Sequence, residues 1–132
     1  MTTTPQPSDT AKRTVLIAED NEVHCRSIQI TMEKAGWKAS TTGHGRRALE
    51  MAVNHRFDLM ILDQRLPEVQ GTEIVKLLRA RSIATPAIMV SSWANMELQK
   101  QAKEVGIARV IPSPIKPVAL VQIVDRVMQE TI

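Results

Sequence analysis

The sequence predicts an α/β fold, five β-α units that form one doubly wound parallel sheet with helices on both faces. Three observations carry this. Short apolar runs rich in β-branched residues recur along the chain and stop at acidic or polar residues, as strands buried on both faces do. Between them lie segments whose apolar residues return every three or four positions, the stripe of an amphipathic helix. The two kinds of segment alternate without interruption, so the strands must be joined by right-handed crossovers and run parallel.

The elements follow in order. Thr2 to Thr10 is rich in Thr, Pro and Ser without apolar periodicity, so residues 1–13 are expected to be a flexible tail and 14–132 the folded domain. Val15-Leu16-Ile17-Ala18 is the first strand, ending at Glu19-Asp20, with Asn21 as a turn or cap residue. Ile28, Met32 and Ala35 mark a helix that stops at Gly36. Trp37 to Thr42 reads as the second strand, and Ala48, Leu49, Ala52 and Val53 as one face of the second helix. Asp58 to Leu62 is the third strand, ending at Asp63. A loop through Pro67 to Gly71 leads into a helix carrying Ile74, Val75 and Leu78. Ala87 to Val90 is the fourth strand, followed by Ser91 and Ser92 and a helix with Leu98, Ala102 and Val105 that ends at Gly106. Ala108 to Ile111 is the fifth strand, and Leu120, Val121, Val124, Val127 and Met128 line the last helix.

With 132 residues, 43% of them hydrophobic, the chain suits one compact domain whose core needs no staple, and its single Cys25 cannot pair internally. A reducing, cytoplasmic setting is expected, with no signal peptide and no membrane association. The net charge of +3 is modest and its basic residues are interspersed with acids, unlike a nucleic-acid footprint. Trp37, Phe57 and Trp93 are too dispersed to stack bases. His24, His44 and His55 have no Cys at metal-ligand spacing and read as surface residues.

In such a sheet ligands bind beyond the carboxyl ends of the strands, where connections diverge to opposite faces. Glu19 and Asp20, Asp63, and Ser91 end the first, third and fourth strands and should converge there. Neighbouring strands lie about 4.8 Å apart, so these carboxylates repel unless one is protonated or a cation intervenes. Magnesium suits a site with one or two direct carboxylates, completed by water, a carbonyl and phosphoryl oxygen.

Val15 to Asn21, together with Asp63-Gln64-Arg65-Leu66-Pro67-Glu68-Val69-Gln70-Gly71, resembles the receiver family of two-component response regulators. The resemblance runs from Thr14 to the C-terminus and implies a flavodoxin-like sheet with strand order 2-1-3-4-5. It implies that Asp63 is the phosphoacceptor, that Asp20 and Glu19 hold the magnesium ion with the Gln64 backbone carbonyl as a further ligand, and that Ser91 is the switch hydroxyl. A histidine kinase or phosphotransfer protein would donate the phosphoryl group. An unidentified downstream protein would read the face built from the fourth helix, fifth strand and fifth helix. Such a domain is not an enzyme beyond catalysing its own phosphoryl transfer and slow dephosphorylation.

Two departures stand out. Receivers carry a Lys-Pro pair after the fifth strand; Lys116-Pro117 matches locally, whereas spacing from Gly106 puts Ser113-Pro114 there and Lys116 beyond the site. Val110 stands where many receivers have an aromatic ring. Arg65 is placed either to reach over a phosphoryl group or to sit as an exposed loop residue. Three rival functions follow. Gly43-His44-Gly45-Arg46-Arg47-Ala48 matches a dinucleotide-binding pattern, but on the second strand and not the first. An Asp-nucleophile phosphohydrolase would want an acid where Arg65 stands. A pseudo-receiver, binding partners without phosphorylation, is favoured by the missing lysine.

Overall fold

The computed structural model describes residues 12–131; the tail expected over residues 1–13 lies almost entirely outside them. The order of elements is β1 (Thr14–Ala18), α1 (Glu22–Lys34), β2 (Lys38–Thr42), α2 (Gly45–Asn54), β3 (Leu59–Leu62), α3 (Gly71–Ala80), β4 (Ala87–Ser91), α4 (Met96–Val105), β5 (Arg109–Pro112) and α5 (Pro117–Glu130). All pairings are parallel and the sheet order is β2-β1-β3-β4-β5.

Period-two alternation splits the central strands between two cores. Leu16, Met60, Leu62 and Met89 point to one face, where Ala48, Ala52, Ile74, Val75, Leu78, Leu98 and Ala102 of α2, α3 and α4 cover them. Val15, Ile17, Leu59, Ile61, Ile88 and Val90 point to the other, covered by Ile28 and Met32 of α1 and Leu120, Val124 and Val127 of α5. Trp37 precedes β2 instead of belonging to it and is buried against the second core.

The ends of the helices follow local chemistry. Asn21 accepts the His24 backbone N–H at 3.0 Å and Asn95 that of Leu98 at 2.8 Å, so both cap their helices. Gly36 and Gly106 take φ values of 95° and 91°, the left-handed geometry that ends a helix. Ala35, expected on the apolar face of the first helix, is an exposed C-cap instead. Asp58 lies before β3, where its carboxylate accepts the Thr14 N–H at 2.8 Å and so ties the start of β1 to that of β3. Among the described residues no helix is long and apolar enough to cross a membrane.

Gly45, the glycine after His44, has a packing role. The Gly45 N–H donates to the Pro67 carbonyl at 3.0 Å, and a Cβ at Gly45 would overlap the Val69 carbonyl oxygen. The loop after β3 therefore lies directly on the start of α2. Gly45→Ala is expected to cost about 1–3 kcal/mol, since neither backbone segment can give way freely. A fall in the urea midpoint with an unchanged m-value would show it; an unchanged midpoint would mean that the loop moves aside at no cost.

Candidate functional site

Sheet register builds the site. Ala18 pairs with Leu62 across β1 and β3, so Glu19 and Asp63 leave the sheet side by side. Their backbones remain tethered: Asp63 N–H donates to the Ala18 carbonyl at 2.9 Å and Glu19 N–H to that of Thr42 at 3.0 Å. Because β2 and β3 flank β1 on opposite sides, this is the point where the chain diverges, the place such sheets bind ligands. One oxygen from each of Glu19, Asp20 and Asp63 lies within 4.8 Å of the others.

The three carboxyl groups differ in environment. Asp20 is exposed, Asp63 is half-buried, and Glu19 is only 7% exposed. Burial first, then its hydrogen bond and repulsion with Asp63, push the Glu19 carboxyl up to about 8. At this separation two carboxylates repel by about 3 kcal/mol in an effective dielectric of about 20, enough to keep one protonated. Either a proton or a cation must therefore occupy the cluster at neutral pH, and three clustered oxygen donors fit a hard divalent ion.

A group whose pKa is higher folded than unfolded contributes stability fully below its unfolded value and loses it as pH rises through the folded one. For Glu19 that window runs from about 4.5 to about 8. In chelator, Glu19→Gln is therefore expected to match the wild type near pH 4.5 and to melt several degrees higher above pH 8. Equal melting curves at both ends would show that ionised Glu19 carries no penalty in the fold.

Glu19, Asp20, Asp63 and Ser113 line a cavity of about 230 Å³, together with Asn21, His24, Arg65, Val90, Ser92 and Trp93. Ser91 ends β4 as expected but is 1% exposed, and its hydroxyl accepts the Trp93 N–H at 3.1 Å. Its neighbour Ser92 faces the cavity instead. Gln64 is not brought to the cluster. Its carbonyl accepts the N–H groups of Leu66 and Gly71 at 3.1 and 3.0 Å, which use both lone pairs, while its side chain bonds Thr72 and Gln70. It staples the loop, and the metal-ligand role expected for its carbonyl is not supported. The next residue, Arg65, reaches the cavity in its place.

Lys116 is exposed at the N-cap of α5 and is not among the residues lining the cavity, whereas Ser113 is. The Ser113 N–H donates to the Ser91 carbonyl at 2.9 Å, which holds Ser113 at the end of β4 beside the cavity. Val110 packs against the core face that carries α4.

Two cavity residues escaped sequence reasoning. His24, read as a surface residue, sits in the first turn of α1 with its Nδ1 3.6 Å from the Glu19 carboxylate. The Asn21 cap was the available signal, because it fixes His24 as the third residue of a helix that starts beside the acidic pair. Trp93, read as one dispersed aromatic, carries the Arg65 guanidinium 4.3 Å from its ring centroid. No spacing rule links positions 28 residues apart in sequence.

Residues 15–125 match the family described as the response regulator receiver domain. The polar-differentiation response regulator DivK of Brucella anthropi is 34% identical over 107 residues, 78% of this chain and 85% of that protein. Among solved structures, the chemotaxis response regulator CheY4 of Vibrio cholerae superposes with a TM-score of 0.82 at 30% identity, covering 88% of this chain and 98% of that one. The receiver domain of the sensor histidine kinase PA1611 from Pseudomonas aeruginosa, solved with magnesium in its active site cleft, shares the fold with a TM-score of 0.81 at 23% identity, covering 89% and 98%.

Proposed function

This chain belongs to the response-regulator receiver family, and on that premise we propose that it accepts a phosphoryl group on Asp63 in the presence of magnesium. The observation that carries the reading is the register that sets the Asp63 carboxyl beside Glu19 and Asp20 at the divergence of β2 and β3. Asp63 and Asp20 would hold the ion, with Glu19 joining them once deprotonated. When bound, the ion supplies positive charge to the phosphoryl oxygens and relieves the carboxylate repulsion. An Asp63 carboxylate oxygen forms the new bond to phosphorus. The bond from phosphorus to the imidazole nitrogen of a phosphohistidine donor breaks, and its electron pair stays on that nitrogen. Little covalent work is needed beyond in-line positioning and charge compensation, which the cavity geometry favours.

The donor would be a histidine kinase or phosphotransfer protein. The Ser91 hydroxyl, now held by the Trp93 N–H, is the group proposed to turn toward the phosphoryl oxygens and switch the α4-β5-α5 face for a downstream protein. Incubation with acetyl phosphate and magnesium, followed by mass mapping, tests the reading: an 80 Da addition on Asp63 is expected.

One observation favours a second reading. Ser113 lines the cavity and Lys116 does not, which supports reading Ser113 at the family's lysine position, so a pseudo-receiver that binds partners without phosphorylation is the alternative. It predicts no phosphate on Asp63 under the same conditions.

A further inference from the structure

The cavity holds three carboxyl groups and one guanidinium, that of Arg65. A phosphoryl group adds up to two more negative charges there, with no lysine at position 113 to meet them. Arg65 forms no ion pair with an acidic side chain among the described residues. Its guanidinium instead stacks over Trp93 at 4.3 Å, while its own N–H approaches Asp63 Oδ1 at 3.4 Å. The backbone at 65 is thus fixed by the acceptor carboxylate and the charged end of the same side chain by an aromatic face.

Trp93 is itself anchored. Its backbone N–H donates to Ser91 Oγ at 3.1 Å and its backbone carbonyl accepts the Asn95 N–H at 2.8 Å, at the cap of α4. An indole face holds a guanidinium by cation-π attraction and leaves the N–H groups at its edge free to donate. A planar fork of such donors matches phosphoryl oxygens.

We propose that Arg65 is the phosphoryl-binding cation of this chain, in place of the lysine that position 113 lacks, and that Trp93 is the positioning residue that keeps its guanidinium at the cavity mouth. The proposal rests on Asp63 being the phosphoacceptor. It also explains how a pocket with Ser113 remains competent: the compensating charge comes from the loop after β3 instead of the one after β5.

The test measures the rate of Asp63 phosphorylation by acetyl phosphate with saturating magnesium, at low and high salt, for proteins with matched melting temperatures. Arg65→Ala is expected to slow the reaction on the order of tenfold, the loss of one charge-assisted contact, and to flatten its salt dependence. Arg65→Lys should retain part of the rate. Trp93→Ala should slow it several-fold while Trp93→Phe stays near wild type, as expected of a ring that only positions. The decisive protein is Arg65→Ala combined with Ser113→Lys, in which a cation returned from the opposite loop should recover most of the rate. Wild-type rates in Arg65→Ala, or no recovery in the double variant, would overturn the proposal while leaving Asp63 as acceptor. A wild-type protein that takes no phosphate on Asp63 at all would instead remove the premise, and this proposal with it.

Discussion

Replacing Asp63 with Asn is expected to abolish phosphoryl incorporation to background, a larger effect than any other single change in the cavity. Asn keeps the size and the backbone position but its amide lacks the anionic oxygen that must attack phosphorus. No other carboxyl group can take over. Glu19 is only 7% exposed, and burial, the largest cause of its raised pKa, persists when Asp63 is replaced, which leaves it a poor nucleophile. Asp20 is exposed at the end of β1, one residue beyond the position aligned with Asp63. The same substitution should raise the melting temperature in chelator, because it removes a charge from the cluster of three carboxyl groups. Mass mapping and thermal melts on one preparation check both halves. Undiminished labelling of the Asn variant would place the acceptor elsewhere.

Asp20→Ala is expected to weaken magnesium binding on the order of tenfold or more, since a site with so few direct carboxylates cannot spare one. Glu19→Ala should cost less near neutral pH, where the wild-type Glu19 must first give up its proton. Proton and metal compete for Glu19, so wild-type affinity should rise with pH until about 8 and then level off. Glu19→Gln should be flatter over that range. Calorimetric titration at several pH values distinguishes the two acids, and an unchanged affinity in Asp20→Ala would move the ion away from the end of β1.

The two predictions rest on different kinds of legibility. The fold and the positions of Glu19, Asp20 and Asp63 were readable along the chain, because a buried parallel strand announces itself by an unbroken apolar run and its polar end by the residue that interrupts it. Loop details were not. The family resemblance implied the Gln64 carbonyl as a ligand; tertiary hydrogen bonds from the Leu66 and Gly71 N–H groups engage that carbonyl instead. Gly43 to Ala48 matched a dinucleotide-binding pattern on the wrong strand, and the approach of the loop after β3 decides that Gly45 is a packing contact.

What the sequence determined by itself is the order of the elements and the acids that end the strands, consequences of unbroken apolar runs, of helical periodicity and of local capping. What only the tertiary structure decided is which residues from separate loops share the cavity: His24 against Glu19, Arg65 over Trp93, and Ser92 lining it beside the buried Ser91. Those contacts depend on side-chain direction at the ends of strands, where the pleat no longer dictates orientation and hydrogen bonds between distant loops set it instead.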